Sequence, residues 1–442
     1  MQCERLFPKT EFFRILVTKV SNVDHLPFPI SVMDDFEVRI DKIRLVNFKK
    51  FIDTTVTLDP SLTVLSGKNG AGKSSVLSGV NILLSWIIAR LRNEDGKGMY
   101  VSALDVNNAA INGCVTGELF NGEATVPSKA KPGYAKEYVF NITPIRDFVN
   151  NKREQLANNK EASLPVFVYY GVKRAVLDIP IRTRRREYSI FDTFDKSLQG
   201  AANFRGFFTW FRACEDWENQ QIARTKQRVE HPGLKAFREA MSRFMPEYRN
   251  IYIERHPLSM MLEKGGETLN AEQLSDGEKI YLALIGDLCH RLSLANPMKN
   301  PLFGKGIVLI DEIDLHLHPQ WQSEITNALT RTFPNIQFII TTHSPHVINS
   351  VPTSSLRIIN TDGTIEMAPY GYGMPSEIIL GDIMNLSNDV PREVIKVIEC
   401  FNDALRENDS DKASVLLQSL QALVPQHPEL PRMRKRVERM TR

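Results

Sequence analysis

The segment Gly67–Ser74 constrains the fold most, because it has the pattern G-x-x-x-x-G-K-S directly after the apolar run Leu62–Leu65. In this pattern glycines let backbone N–H groups surround phosphates, the lysine reaches the outer phosphates, and the serine hydroxyl ligates Mg²⁺ at a helix N-terminus. A glycine-rich turn rarely matches by chance when a strand and a helix flank it in that order. The residues predicted to contact a nucleoside triphosphate are Gly67, Lys68, Asn69, Gly70, Ala71, Gly72, Lys73, Ser74 and Ser75.

Composition indicates an ordinary globular protein. The chain has 442 residues, of which 42% are hydrophobic and 24% charged, enough for two or three domains or for one large core with insertions. The apolar stretch 80–91 is interrupted by three polar residues, and on this basis we expect it to be too short and too polar to span a bilayer. The first residues lack the apolar core and cleavage site of a signal peptide. We therefore expect a cytoplasmic protein with no membrane partner.

The cysteines and the charge distribution say less about function than the phosphate-loop motif does. The five cysteines are odd in number and widely scattered, which predicts reduced thiols rather than a disulfide framework or a metal site. The net charge is +3, and basic residues cluster at 182–186 and 432–436. Either run could meet the phosphates of a nucleic acid or an acidic partner, or could form a solvated face.

Hydrophobic patterns predict the organisation of the chain. Residues 1–35 are expected to be an extension with little fold of their own. Residues 36–175 are expected to hold the first part of the nucleotide-binding sheet, residues 176–269 a helical insertion, residues 270–365 the second part of the sheet, and residues 366–442 a helical, partner-binding C-terminal region. The fold class is α/β, with a small antiparallel β subdomain beside the main sheet.

Individual elements are predicted at several places. Predicted helices cover 73–92, 147–162, 234–245 and 276–295, and predicted strands cover 115–120, 138–142, 164–170, 306–310 and 333–340, with a hairpin near 264–267. Four phenylalanines, Phe204, Phe207, Phe208 and Phe211, mark one apolar face of a further helix. Packing inside the protein is the favoured interpretation of that face, and stacking on nucleic-acid bases is the alternative.

Polar groups follow two predicted strands. Asp311 and Glu312 come directly after the apolar run 307–310, which places both carboxylates at the same sheet edge as the phosphate loop. Asp311 is predicted to hold Mg²⁺, and Glu312 to orient and deprotonate an attacking water. His343 follows the next strand, where it is predicted to sense the γ-phosphate and hold that water. A purely structural histidine is the alternative.

The segment 274–279 reads Leu-Ser-Asp-Gly-Glu-Lys and precedes a long apolar helix. Ser275, Gly277 and the helix N-terminus offer hydrogen-bond donors suited to a γ-phosphate. In isolation, the same residues would also form an ordinary N-cap with an acidic first turn.

In order along the chain, these motifs resemble those of ABC-type ATPases. The resemblance rests on the loop at 67–74, the signature at 274–278, the Asp-Glu pair at 311–312, Asp314 and His343. It implies a P-loop ATPase head that binds ATP and Mg²⁺ and works as a head-to-tail homodimer or higher oligomer. Ser275, Gly277 and Glu278 of one subunit would then cover the ATP held by the other, with Asp314 among the nucleotide-contacting residues.

Within that superfamily, segments 309–321 and 341–345 look like the SMC-related branch, which includes DNA-repair ATPases, OLD nucleases and antiphage ATPases. Segments 169–174, 207–216 and 422–434 are similar to the PtuA ATPases of Septu and retron-associated defence systems. The resemblance implies a regulatory ATPase that gates a separately encoded HNH nuclease of the PtuB type. In retron versions it also implies a reverse transcriptase carrying its multicopy DNA–RNA.

Some features depart from the family pattern or favour alternatives. ABC proteins usually carry a Gln after a strand between the loop and the signature, whereas the best candidate strand here ends in Tyr170-Gly171, which predicts slow or regulatory hydrolysis. A DNA repair or recombination ATPase is the main alternative. An OLD-like nuclease would need an Asp-x-Asp pair at a strand end, but Asp409 and Asp411 fall in a polar break between helices. His316 and His318 lack cysteine partners, so a separate metal site is not expected.

Overall fold

A computed structural model describes residues 38–119, 122–129, 138–159, 161–172, 177, 179, 187–297, 299–383 and 392–440. The chain forms two compact units, Met1–Ser376 and Glu377–Arg442. The predicted extension at 1–35 and the basic run at 182–186 lie outside the described residues.

The strands are β1 (Ile40–Phe48), β2 (Phe51–Thr57), β3 (Leu62–Ser66), β4 (Cys114–Leu119), β5 (Gly122–Pro127), β6 (Val166–Tyr170), β7 (Tyr248–Arg255), β8 (Leu258–Lys264), β9 (Glu267–Asn270), β10 (Gly306–Ile310), β11 (Ile336–Thr341), β12 (Leu356–Ile359) and β13 (Ile365–Met367). The α-helices are α1 (Lys73–Arg92), α2 (Thr143–Asn158), α3 (Phe204–Thr225), α4 (Pro232–Phe244), α5 (Asp276–Ala295), α6 (Pro319–Thr332), α7 (Pro345–Ile348), α8 (Ser376–Ile378), α9 (Arg392–Arg406), α10 (Ser410–Leu423) and α11 (Leu430–Met440). Short 3₁₀ turns occupy Ala103–Asp105, Ile190–Phe194, Ala271–Gln273, Pro301–Phe303 and Thr353–Ser355, and a π turn occupies Ile379–Ile383.

A six-stranded sheet of order β13-β12-β3-β11-β10-β6 forms the centre of the first unit. All neighbouring pairs are parallel except β12 and β13. Every residue of β3, β10 and β11 is buried, as expected for parallel strands covered on both faces. These three strands are adjacent, so their carboxyl ends meet at one edge of the sheet.

A second, antiparallel sheet has the order β2-β1-β4-β5, which matches the predicted small β subdomain. The buried side chain of Gln337 joins the two sheets, because its amide bonds the N–H of Ile40 at 3.0 Å and the carbonyl of Ile40 at 2.9 Å. The strand predicted at 138–142 is wrong. Among the described residues, that segment pairs only through an isolated bridge between Asn141 and Thr125, although Phe140 packs against Trp86 at 5.0 Å between ring centroids and Ile142 is buried.

A three-stranded sheet, β7-β8-β9, spans residues 248–270, so the segment 176–269 contains strands beyond the predicted helices and hairpin. Its second hairpin turns at Gly265 and Gly266, as the sequence predicted. The four phenylalanines of α3 are at most 1% exposed, and Phe207 packs against the tilted ring of Phe237 of α4 at 5.1 Å between ring centroids. The aromatic face is thus used for packing.

Helix α1 is longer than the apolar stretch considered in the sequence. It has 20 residues, and among the described residues it is the one helix long and apolar enough to cross a membrane. The stretch 80–91 forms only part of this helix, so its length underestimates the apolar segment. In the structure 61% of its most apolar window is buried, and it packs against β1, β4 and β11 as a core helix.

Other boundaries differ by a few residues or not at all. Helices α1 and α5 and strand β10 have the predicted ends. Helix α2 begins four residues before its predicted start, because Pro144 occupies its first turn, where a proline fits without losing a hydrogen bond.

The second unit is built from α9, α10 and α11 around a small apolar core that includes Val394, Phe401, Leu420 and Met433. The basic run at 432–436 lies on α11 with its cationic side chains exposed. Asp409 is the N-cap of α10, and its carboxylate accepts the N–H of Lys412 at 2.9 Å.

A buried polar network connects α5 to β6. The fully buried carboxylate of Asp287 accepts hydrogen bonds from the Tyr170 hydroxyl and from Nε of Arg291, each at 2.8 Å. Arg291 is 2% exposed and also donates to the carbonyl of Thr193 at 2.6 Å. Removing one partner of a buried ion pair strongly destabilises a protein, because the other charge stays buried without compensation.

We expect Asp287→Ala to lower the free energy of unfolding by about 3–5 kcal/mol, because it leaves the Arg291 charge buried without its partner. The matched control is Asp53→Ala, which removes an exposed carboxylate that bonds Arg44 with both oxygens and is expected to cost about 1 kcal/mol or less. Denaturant unfolding of both variants checks the difference. Equal losses would contradict the argument.

Candidate functional site

The phosphate loop connects β3 to α1 in the conformation that its glycines require. Gly67, Gly70 and Gly72 have φ values of 150°, 75° and 108°. A Cβ atom at Gly67 would lie 2.3 Å from the carbonyl oxygen of Ile359, so only glycine fits there. The loop places Lys73 and Ser74 at the N-terminus of α1.

The Lys73 side chain is 6% exposed and folds back along the loop. Its ammonium donates to the carbonyls of Gly67 at 2.9 Å and Lys68 at 3.2 Å. Burial lowers the pKa of Lys73, while the charges of Glu312, Asp311 and Asp314 oppose that shift. The lysine is therefore held close to a group of carboxylates.

Asp311 is the central acceptor at this edge of the sheet. Its Oδ1 accepts hydrogen bonds from the hydroxyls of Ser74 at 3.1 Å and Thr341 at 2.6 Å, and the residue is 4% exposed. Ser74 follows β3, Asp311 follows β10 and Thr341 ends β11. The sheet order thus brings together Ser74 and Asp311, two residues that the sequence assigned to Mg²⁺.

Glu312 has a left-handed backbone, with φ of 47°, which is unusual for a residue other than glycine. Its N–H donates to the Thr341 hydroxyl at 2.7 Å, which fixes this turn. Backbone conformations of this kind concentrate at functional sites, where surrounding contacts hold them.

His343 and Asp314 lie beside these groups. Oδ1 of Asp314 accepts the hydroxyl of Thr342 at 2.6 Å and the backbone N–H of His343 at 3.3 Å. Burial and the charge of Lys73 lower the pKa of His343, against the opposing effect of the neighbouring carboxylates. The imidazole is therefore mainly neutral at pH 7, because its ordinary pKa is already 6.5.

The signature forms the N-terminus of α5, with Ser275 as an exposed N-cap. Both the N–H and the hydroxyl of Ser275 donate to Oε2 of Glu278 at 2.8 Å. A Cβ atom at Gly277 would lie 2.6 Å from the carbonyl oxygen of His316, so a side chain here would push α5 away from the turn after β10.

Several site residues were not assigned a role from the sequence. Thr341 was seen only as part of the segment after β11, although its position at a strand end was a usable signal. Tyr248 and Lys264 contact Glu278 from a separate sheet and carry no local motif. Tyr169 lies in β6 beside β10, where burial and the charge of Asp311 raise its pKa to about 12.

The two neighbouring histidines take no part in a metal cluster. His318 is the N-cap of α6, and its Nδ1 accepts the N–H of Gln320 at 3.4 Å. His316 is exposed, with φ of 63°. Across the described part of the chain, no group of three or more His, Cys, Asp or Glu side chains is placed to hold a metal ion.

Two family models match parts of the chain. The model described as "AAA domain, putative AbiEii toxin, Type IV TA system" matches residues 169–349, and the model described as "AAA domain" matches residues 42–231. Solved structures with a similar fold include the SMC head domain from Thermotoga maritima, at 16% identity, covering 75% of this chain and all of that one with a TM-score of 0.41. A Smc head domain derived from Pyrococcus furiosus, bound to the C-terminal domain of ScpA, is similar at 15% identity, covering 76% of this chain and 96% of that one with a TM-score of 0.45.

The sheet order and the site together define a P-loop ATPase of the ABC/SMC type, as the motifs predicted. Relatives include the retron Ec83 probable ATPase of Escherichia coli, 31% identical over 81% of this chain and 78% of that protein. The chain belongs to this family of retron ATPases. It is also similar to the retron Vc95 probable ATPase of Vibrio cholerae serotype O1 biovar El Tor, at 29% identity over 74% of this chain and 75% of that one. The Septu protein PtuA of Bacillus thuringiensis is 22% identical over 89% of this chain and 94% of that protein, so the predicted family resemblance is confirmed.

We expect Lys73→Met to raise the pKa of His343 toward 6.5, because it removes a positive charge and leaves the carboxylates in place. In the wild-type chain the lowered pKa means that folding binds fewer protons at His343, so its contribution to stability falls as the pH drops through 6.5. Imidazole NMR titration, with His343→Gln for assignment, measures the shift. Lys68→Met, which removes an exposed lysine of the same loop, is the control, and equal shifts in both variants would contradict the prediction.

Proposed function

We propose that this chain is a cytoplasmic, regulatory ATPase of an antiphage defence complex, which binds ATP and Mg²⁺ between two copies of itself. The convergence of Ser74, Asp311 and Thr341 at one sheet edge, behind a phosphate loop, is the observation that carries the proposal. The membership in the retron ATPase family supports the defence role.

The residues of the sheet edge fit a magnesium ion. Ser74 and Asp311 offer two oxygen ligands within hydrogen-bond distance of each other, and Mg²⁺ in nucleotide sites takes one or two protein oxygens and completes its shell with phosphates and water. When bound, the ion would neutralise charge that develops on the transferring phosphate.

Side chains and backbone groups of this chain bind the phosphates and activate the attacking water. Lys73 holds the outer phosphates after leaving the loop carbonyls, and the loop N–H groups bind the inner ones. Glu312 accepts the proton of the attacking water, and neutral His343 offers its imidazole as a hydrogen-bond partner to that water or to the γ-phosphate.

The second copy completes the site. Ser275 is exposed at the N-terminus of α5, where the helix dipole and free N–H groups favour an anion. In the proposed dimer Ser275, Gly277 and Glu278 of one copy meet the nucleotide held by the other copy. Closing and opening of the pair converts ATP occupancy into a signal.

The signal is proposed to gate a partner. Following what the sequence resemblance implies, the partner is an HNH nuclease of the PtuB type and, in a retron version, also a reverse transcriptase carrying its multicopy DNA–RNA. The predicted domains place the ATPase head in 36–175 and 270–365, and leave the helical C-terminal region, 366–442, for partner binding. The lack of a glutamine in 164–172, around β6, favours slow turnover suited to a switch.

We expect Glu312→Gln to slow ATP hydrolysis about a hundredfold or more, because it removes the proposed general base, and to trap an ATP-bound dimer. Phosphate release and light scattering with and without ATP measure both effects. Adding Lys73→Ala should abolish the dimer by removing ATP affinity, while Glu324→Gln, an exposed glutamate of α6, should behave as wild type. A Glu312→Gln chain that hydrolyses ATP at the wild-type rate would exclude Glu312 as the base.

We also expect the natively expressed chain to co-purify with an HNH nuclease and a short DNA–RNA hybrid. Mass spectrometry and nuclease digestion of the bound nucleic acid identify both components. The contrary outcome is ATP hydrolysis stimulated by DNA ends with no nuclease partner, which would favour the repair ATPase.

A further inference from the structure

The signature glutamate is held from two sides. Oε2 of Glu278 accepts both donors of Ser275 at 2.8 Å. Oε1 accepts the hydroxyl of Tyr248 and the ammonium of Lys264, the latter at 3.1 Å. Tyr248 and Lys264 are cross-strand neighbours on β7 and β8, so one residue pair of the three-stranded sheet donates both hydrogen bonds to this oxygen.

The three side chains of Tyr248, Lys264 and Glu278 are close together, and two of them are charged. Lys264 lies 4.9 Å from the centre of the Tyr248 ring and 3.2 Å from its hydroxyl, and Tyr248 is 5% exposed. Burial works to raise the pKa of Glu278, but hydrogen bonds from Tyr248, Ser275 and Lys264 lower it to about 2. The carboxylate therefore stays ionised at any pH at which the protein works.

This geometry links Ser275 to a distant sheet. A carboxylate is rigid and planar, so fixing Oε1 also fixes the direction of Oε2, and Oε2 sets the orientation of the Ser275 hydroxyl and N–H. An ordinary capping box needs only the Ser275–Glu278 contacts. The two additional donors on Oε1 come from outside α5 and are not needed to cap it.

The sheet itself is anchored to α3. Glu215 accepts the N–H of Ile253 at 3.2 Å and Nη1 of Arg255 at 3.1 Å, and Asp216 accepts Nη2 of Arg255 at 2.6 Å. Strand β7 is thus tied to α3 near one end and contacts Glu278 through Tyr248 at the other.

We propose that Tyr248 and Lys264 are positioning residues for the signature. They hold Glu278, and through it Ser275, in the orientation in which Ser275 meets a nucleotide bound by a second copy of this chain. This role rests on the proposed function, since it requires the signature to act across a dimer. The position of the β7-β8-β9 sheet then determines whether Ser275 of one copy reaches the nucleotide bound by the other copy.

The test compares Tyr248→Phe with Tyr252→Phe in the full-length chain. Each change removes one hydroxyl from β7, but Tyr252 is half-buried and its hydroxyl makes no hydrogen bond to the residues that the structure describes. We expect Tyr248→Phe to lower kcat for ATP about tenfold with KM unchanged, because the lost hydrogen bond acts on the closed dimer and not on ATP binding within one copy. Tyr252→Phe should match wild type in both.

Lys264→Gln and Lys264→Arg provide a second pair. The glutamine variant should lose kcat as Tyr248→Phe does, and the arginine variant should recover most of it, because arginine keeps a cation beside Oε1. Binding of a fluorescent ATP analogue should be the same in all four variants, and the thermal unfolding midpoint should fall by no more than a few degrees, as expected for one lost hydrogen bond. On the Glu312→Gln background, Tyr248→Phe should weaken the ATP-dependent dimer about tenfold.

The outcomes separate the two proposals. A Glu312→Gln chain that stays monomeric with ATP overturns the proposed dimer and the positioning role together. If that chain dimerises but Tyr248→Phe leaves kcat and dimerisation at wild-type values, the positioning role alone is overturned. A Tyr248→Phe variant that loses ATP affinity in parallel with kcat also overturns it, because the effect would then not be confined to the closed dimer.

Discussion

One carboxylate oxygen, Oδ1 of Asp311, accepts hydrogen bonds from Ser74 and Thr341, and so ties together the ends of three neighbouring strands. Thr341 also accepts the N–H of Glu312, which fixes the left-handed turn at that residue. The phosphate loop, the Asp-Glu pair and the segment after β11 are therefore positioned by one shared set of contacts. Under the proposed function, a change at any of them would move all three.

Helix α5 joins this edge of the sheet to the signature. Its N-terminus holds Ser275 and Glu278, while Asp287 in its interior accepts hydrogen bonds from Tyr170 at the end of β6 and from Arg291. Strand β6 is in turn the neighbour of β10, which leads to Asp311. A displacement at the carboxyl ends of these strands would reach the signature through a rigid helix and a buried ion pair, rather than through a flexible loop.

The sequence predicted the parts of the fold that local patterns determine. The ends of α5 follow from its N-cap motif and from Asn296-Pro297, and β10 follows from five consecutive buried residues. The strand predicted at 138–142 failed because alternation of apolar residues does not reveal whether a neighbouring strand pairs with them, and here, within the described part of the chain, only Asn141 bridges another strand. The same limit applies to the site, whose motif residues were recognisable while the partners of Glu278 were not.

Tyr248 and Lys264 illustrate that limit. They lie 30 and 14 residues before Glu278, in strands without a recognisable motif, and only the tertiary packing of the three-stranded sheet brings them to the carboxylate. A local pattern reports which residues share a helix face or a strand face, but not which separate sheet will reach that face.

The contacts of Ser275 bear on how such a site could act as a switch. Its hydroxyl and N–H both donate to Glu278, so under the proposed function the hydroxyl rotates from Glu278 to the γ-phosphate of the other copy, while the N–H stays on the carboxylate and keeps Ser275 in place. Such an exchange changes the free energy little, because charge-assisted hydrogen bonds are made on both sides. The equilibrium between the two acceptors then depends on the other hydrogen bonds of Glu278. Tyr248 and Lys264 donate two of these bonds to its Oε1. Under the proposed function, a signature held in this way engages ATP only when the second copy closes, which suits control by occupancy better than rapid turnover.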